Sequence, residues 1–297
     1  MGKTIFKSDA GRRELEAGYE RLRAHIPDAH GRYVRTRFGD THVLVAGPEE
    51  APPLFLLHGA SSCSAHMMRP FIPLLDRFRV YVPDMIGQTV KSADARLPYD
   101  GPACGEWLVD VMDGLGVEKA HVYGASLGGF MARKLAEHMP ERIDRLVLMV
   151  PAGIVTNSPF AILSEFLVPM LAYRVFPSRD RLRRFLGAMM TTLDAESVDQ
   201  FGDAFRGFRH DMRMPPLASP ESLVRFTRPT LVVGASDDLF FPGVELLARA
   251  KVLFPQAETE LLVGCRHVPP IDTFTGPHAA RVARFLAARD ASSAIAA

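Results

Sequence analysis

The chain has 297 residues, 47% of them apolar, which is enough for one large domain or two built on a sizeable core. Charges nearly cancel, 35 Lys and Arg against 34 Asp and Glu, so a net charge of +1 gives no electrostatic reason to expect nucleic acid or a membrane surface as partner. Three scattered cysteines (Cys63, Cys104 and Cys265) without a C-x-x-C pair argue against a disulfide scaffold or structural zinc and suit a reducing compartment.

The N-terminal Met1-Gly-Lys-Thr-Ile-Phe-Lys lacks an apolar signal core, and no window is long enough to span a bilayer; the reading is cytoplasmic. Residues 9–26 read as an amphipathic helix with Leu15, Tyr19, Leu22 and Ile26 on one face, ended by Pro27. Arg32 to Phe38 and Thr41 to Ala46 alternate about Gly39-Asp40, the pattern of a β-hairpin. Continuous apolar runs follow at 53–57, 79–82, 120–123, 145–150, 230–233 and 260–263. Helical stretches at 66–77, 103–115, 127–138, 244–253 and 277–288 separate them. Short buried strands alternating with helices specify an α/β fold, a mostly parallel sheet covered by helices on both faces.

Residues 155–225 break the alternation. They carry no convincing strand, are dense in Phe, Met, Leu and Arg, and are too long for a connection, so they are expected to form a helical cap over the carboxyl edge of the sheet. The expected organisation is an N-terminal helical segment (1–30), a core in two parts (31–154 and 226–290), the cap insertion (155–225) and a frayed tail (291–297).

Ligands of open α/β sheets bind beyond the carboxyl ends of the strands. Those ends hold His58-Gly59-Ala60-Ser61, Asp84, Ser126, Pro151-Ala-Gly, Asp237-Asp238 and the loop with His267. A serine, carboxylate candidates and a histidine thus converge on one edge. A serine hydroxyl needs a neighbouring base to take its proton, and an imidazole needs a carboxylate to fix its tautomer. Gly124-Ala-Ser-Leu-Gly128 is a G-x-S-x-G pentapeptide between a strand and a helix stopped by Pro140, the setting of a nucleophile elbow.

With His58-Gly59, Asp84-Met-Ile-Gly87, the pentapeptide, Val233-Gly-Ala-Ser-Asp-Asp-Leu-Phe-Phe-Pro242 and Gly264-Cys-Arg-His267 in this order, the chain resembles a serine-dependent α/β-hydrolase of carboxylesterase type. The resemblance implies Ser126 as nucleophile, His267 as general base and then acid, and Asp238, four residues before Pro242, as orienting carboxylate, with adjacent Asp237 the alternative. It implies an oxyanion hole from the N–H groups of Leu127 and Ala60, with Ser61 the close alternative to Ala60, and structural roles at the elbow for Gly124 and Gly128. Arg266 stands where the family often has glycine before the histidine.

No H-E-x-x-H, Walker lysine or G-x-G-x-x-G after a strand is present, so neither metal nor cofactor is expected. The implied reaction is hydrolysis of a small to medium, largely apolar carboxylic ester. Carbon–carbon, lactone or thioester hydrolysis, or ligand binding without catalysis, are the alternatives. The Phe and Met side chains between Phe160 and Phe208 either line an acyl or alcohol pocket or pack together, and the arginines among them read as a solvated face. Natural substrate and oligomeric state are not encoded legibly.

Overall fold

Strands whose residues are buried on both faces need a helix layer on each side, and the computed structural model, which describes residues 4–88 and 90–288, has that architecture. In chain order come α1 (Asp9–Arg23), β1 (His30–Thr36), β2 (Gly39–Ala46), β3 (Pro53–Leu57), α2 (Ser64–Met68), β4 (Arg79–Pro83), α3 (Ala103–Gly114), β5 (Ala120–Ala125), α4 (Leu127–His138) and β6 (Ile143–Met149). Then follow α5 (Pro159–Ile162), α6 (Val168–Val175), α7 (Arg179–Gly187), α8 (Ala195–Gly207), β7 (Thr230–Ala235), α9 (Gly243–Leu253), β8 (Glu258–Leu262), α10 (Ile271–Thr273) and α11 (Ala279–Ala287). One sheet of eight strands runs in the order β1-β2-β4-β3-β5-β6-β7-β8. Its β1–β2 and β2–β4 pairs are antiparallel and the remaining pairs parallel.

The alternation of side chains along each strand divides the core. Phe55, Leu57, Val122, Leu146 and Leu148 face the helices α3, α4 and α9. Leu54, Leu56, Tyr123, Val147 and Met149 face α1, α2 and α11. A third apolar cluster, with Met170, Leu182, Phe185, Leu186 and Phe201, holds α6, α7 and α8 together between β6 and β7.

Several local expectations are corrected. The β1–β2 hairpin turns at Arg37-Phe38 rather than Gly39-Asp40, because Thr36 pairs with Gly39 across the ladder. Thr36 Oγ1 donates to the Gly39 carbonyl, and Asp110 accepts from the Arg37 N–H, which fixes that turn. The helix expected over 66–77 is α-helical only to Met68 and then tightens to 3₁₀ over Arg69–Leu74, since Pro70 and Pro73 each remove a backbone donor. The last helical stretch begins earlier, at Ile271, and passes through a π-turn at Phe274–His278. The 291–297 tail lies outside the described residues. Cys63, Cys104 and Cys265 are free thiols.

At the centre of the sheet, β5 meets α4 with a single residue, Ser126, between them. That residue has φ 52° and ψ −115°, a backbone conformation a side-chain-bearing residue holds only under constraint. The constraint is visible in the packing. Ser126 N–H donates to Met149 O at 2.9 Å, and Ala152 N–H donates to Ser126 O at 3.0 Å. A Cβ on Gly128 would penetrate the carbonyls of Leu57 and His58, and one on Gly124 would penetrate the carbonyl of Gly128. Gly128→Ala is therefore expected to cost roughly 3–5 kcal/mol in denaturant unfolding. Gly276→Ala, where a Cβ meets nothing within 4 Å, should stay within about 0.5 kcal/mol of wild type.

Acid should loosen the fold through its buried imidazoles. His278 is 2% exposed and shares a hydrogen bond of 2.9 Å with Tyr123 Oη. Burial pushes this imidazole down to about 4, with Arg281 adding to the effect. The unfolded chain takes the same proton near pH 6.5. Between those values the unfolded state binds more protons, so stability is lost as pH falls from about 6.5 towards about 4 and levels off below. Denaturant midpoints measured across that window should fall in wild type, and His278→Gln should remove about 3 kcal/mol of the dependence.

Candidate active site

The elbow presents Ser126 with its hydroxyl unspent on helix capping. The loop after β7 carries Asp238, and the loop after β8 carries His267. His267 Nε2 lies 2.9 Å from Ser126 Oγ, and His267 Nδ1 lies 2.8 Å from Asp238 Oδ2. With the ring proton on Nδ1, the imidazole donates to the carboxylate and accepts from the serine hydroxyl. Asp238 is 4% exposed, and its second oxygen, Oδ1, accepts from the N–H groups of Phe240 (2.8 Å) and Phe241 (3.2 Å). Both phenyl rings also meet the imidazole edge-on, with centroids 5.1 and 5.4 Å away, so the ring is hemmed on two sides.

Asp237 is turned elsewhere: it is exposed, accepts from Ser236 Oγ and donates its N–H to Cys265 O. Asp84, the other carboxylate on this edge, is fully buried in a separate network. It accepts from Ser64 N–H (2.7 Å) and Ser64 Oγ (2.9 Å), and pairs with His42 Nδ1 at 2.7 Å. There the hydroxyl donates straight to a carboxylate, with no imidazole placed to take its proton. The arrangement braces α2 against β2, and Tyr19 Oη joins it from α1 at 3.0 Å.

With Arg266 in place of a glycine, the His267 loop is held through its backbone: the Arg266 N–H donates to Thr191 Oγ1, and Val268 exchanges backbone bonds with Met189 and Thr191. The His267 loop is thus stitched to the segment between α7 and α8. His58 is locked in place: buried, with Nδ1 donating to Gly59 O and Nε2 accepting from Met85 N–H. Burial holds it neutral, its pKa lowered.

Leu127 opens α4, so its N–H has no intrahelical acceptor, and it borders the same cavity as Ala60. Ser61 is held at φ 59°, its N–H directed at Gln88 Oε1 (3.4 Å) and its Oγ 3.0 Å from His210 Nδ1. His210 and His66, absent from the sequence motifs, both line the cavity. Burial pushes them down to about 3 and about 4 respectively, so both are neutral. Nothing local in the sequence marks either one, since His210 reaches Ser61 across 149 residues.

Above Ser126 lies a cavity of about 320 Å³, walled by Phe166, Met170, Met189, Met190, Phe201 and Phe205 from the helical insertion and by Met149, Phe240 and Phe274 from the sheet side. The Phe and Met residues of the insertion therefore divide three ways. Some line this cavity, Phe185 sits in the insertion's own core, and Phe160 and Phe176 are 76% and 63% exposed. Among the described residues no cluster of three His, Cys, Asp or Glu is arranged to hold a metal, and no helix is long and apolar enough to cross a membrane.

Comparison with known proteins agrees with this architecture. The family model described as alpha/beta hydrolase fold matches residues 52–183. The uncharacterized carboxylesterase nap of Bacillus subtilis (strain 168) is 31% identical over 271 residues, covering 88% of both chains. A 2-hydroxymuconate semialdehyde hydrolase of Pseudomonas putida is 31% identical over 233 residues, covering 72% of this chain and 78% of the relative. The crystal structure of naproxen esterase (carboxylesterase NP) from Bacillus subtilis superposes with a TM-score of 0.79 at 29% identity, covering 94% of this chain and 99% of the other. An eight-stranded sheet of this order, a serine on the strand-to-helix bend and a relative matched along nearly its whole length make the chain a member of the α/β-hydrolase family.

Proposed function

We propose that the protein is a carboxylic ester hydrolase acting through an acyl-enzyme on Ser126, with His267 and Asp238 completing the triad. The observation that carries this reading is the hydrogen-bonded run from Ser126 through His267 to Asp238, which opens onto an apolar cavity. Similarity to carboxylesterases supports the reaction type.

In the first half-reaction the Ser126 proton passes to His267 Nε2 as Oγ bonds to the ester carbonyl carbon. The carbonyl oxygen, now negative, takes hydrogen bonds from the N–H groups of Leu127 and Ala60. Collapse of this intermediate breaks the bond to the alcohol oxygen, which leaves with the proton from His267. Water then gives a proton to His267, attacks the acyl carbon, and frees the acid with return of the proton to Ser126. Asp238 stays ionised throughout, fixing the tautomer and stabilising the imidazolium. Ala60 is favoured over Ser61 as the second oxyanion donor because the Ser61 N–H is directed at Gln88. A cavity of about 320 Å³ with flexible methionine walls suits a small or medium apolar acyl or alcohol group. Carbon–carbon bond hydrolysis by the same residues is the second reading, on the strength of the Pseudomonas putida relative.

With p-nitrophenyl butyrate, Ser126→Ala should lose roughly 10³-fold or more in kcat, and equal activity in both proteins rejects the mechanism. Asp238→Asn should fall by roughly 10⁴-fold while Asp237→Asn remains within a few-fold; the reverse order transfers the acid role to Asp237. Faster turnover of 2-hydroxymuconate semialdehyde than of the ester favours the second reading.

Ser61 holds its left-handed backbone through the bond to His210, next to the Ala60 donor. His210→Phe should lower kcat by up to roughly 10²-fold with KM little changed, because the donor beside the reacting carbonyl moves. His210→Asn, which restores a hydrogen-bonding group, should recover part of the loss. A change in KM alone removes the positioning role.

A further inference from the structure

The helical stretch from Pro159 to Val175 has two working faces. Its inner residues Phe166 and Met170 line the cavity above Ser126. Its outer residues are apolar as well: Phe160 is 76% exposed, Leu163 49%, Val168 55%, Leu171 58% and Val175 57%. Their spacing of three, five, three and four residues does not suit an uninterrupted α-helix. The π-turn at Leu163–Leu167 absorbs the five-residue step and keeps the stripe on one side. An apolar stripe of this length facing water is a surface in want of a cover.

The helix that carries the end of the stripe and the helix that follows it are basic. Between Pro159 and Gly187 there are five arginines against two carboxylates, a local excess that the near-neutral whole chain conceals. Arg174, Arg179, Arg181, Arg183 and Arg184 are all exposed. Arg179 lies 3.8 Å from Asp199, and among the described residues no carboxylate comes within 4.0 Å of Arg174, Arg181, Arg183 or Arg184. Arg181 sits at the end of the stripe, its guanidinium carbon 5.6 Å from the centre of the exposed Phe176 ring.

We propose that this face docks on an anionic lipid surface, with the apolar stripe seated at the acyl boundary and the arginines against lipid phosphates. A surface helix that presents large apolar side chains to water with arginines flanking them has the chemistry for such a surface. A second copy of the chain is the poorer cover, since a two-fold contact sets the same patch against itself and brings the unpaired arginines of both copies to one rim. Docking makes no use of Ser126 chemistry, so it stands apart from the reaction proposed above.

Sedimentation with vesicles tests it, using equal parts phosphatidylcholine and phosphatidylglycerol beside phosphatidylcholine alone. The protein should pellet with the anionic vesicles, more weakly with the neutral ones, and less as salt is raised. Arg181→Gln/Arg184→Gln should weaken pelleting by roughly tenfold or more, at about fivefold per arginine, and Leu171→Gln/Val175→Gln should abolish it. All four substitutions lie outside the cavity and should leave p-nitrophenyl acetate hydrolysis unchanged, while Ser126→Ala should pellet like wild type. Absence of pelleting with anionic vesicles overturns the proposal, as does pelleting that neither double variant alters. A dimer in sedimentation velocity that Leu171→Gln/Val175→Gln dissolves assigns the stripe to a second copy instead.

Discussion

The close passage of two backbones at Gly128 is the constraint on which the site depends. The first turn of α4 runs against the carboxyl end of β3 so tightly that no Cβ fits between them. That contact drives the chain from β5 into α4 through a single residue, and the residue so trapped is Ser126 at φ 52°. The strain in the serine is balanced by packing that any larger residue at Gly124 or Gly128 would undo. The same bend leaves the first amides of α4 without intrahelical acceptors, so one steric fact yields both a hydroxyl presented to the cavity and a helix-end donor beside it.

Two Ser–His–Asp sets occupy the carboxyl edge of the sheet, and their wiring separates them. At Asp238 the carboxylate bonds the imidazole and the imidazole bonds the serine. At Asp84 the carboxylate bonds both serine and imidazole directly. Proximity of the three residue types is therefore insufficient for nucleophile activation. The base must stand between the hydroxyl and the acid. The Asp84 set instead anchors Ser64 at the start of α2, and with it the far end of the loop that begins at His58 and includes Ala60.

What the sequence made legible follows from how local each feature is. Buried parallel strands appear as unbroken apolar runs, and glycines at a close approach bracket the serine, so the sheet and its elbow could be read directly. The 66–77 helix was over-read because apolar periodicity outweighed the two prolines that deny it α-helical bonds. The insertion was harder for a different reason. A helix with one face on a cavity and the other bare to water is apolar on both sides, so periodicity does not tell Phe166 from Phe160. Contacts such as Ser61 with His210 join residues 149 apart and leave no trace in spacing.

These long-range contacts share a direction, because they tie the segment between β6 and β7 to the loops after β3 and β8. Met189 and Thr191 hold the loop that carries His267 by backbone bonds. His210 holds Ser61 next to the loop amide of Ala60. That segment thus touches the loops of His267 and Ala60 together, while Phe166 and Met170 line the cavity that both loops border. A side chain that repacks α6 to α8 would therefore bear on the surroundings of Ser126 through two loops at once, and on the cavity as well. On the reaction proposed above, substrate shape and catalytic geometry are then not independently adjustable in this chain. The elbow itself is braced by the backbones of β3, β6 and α4 and by the turn after β6.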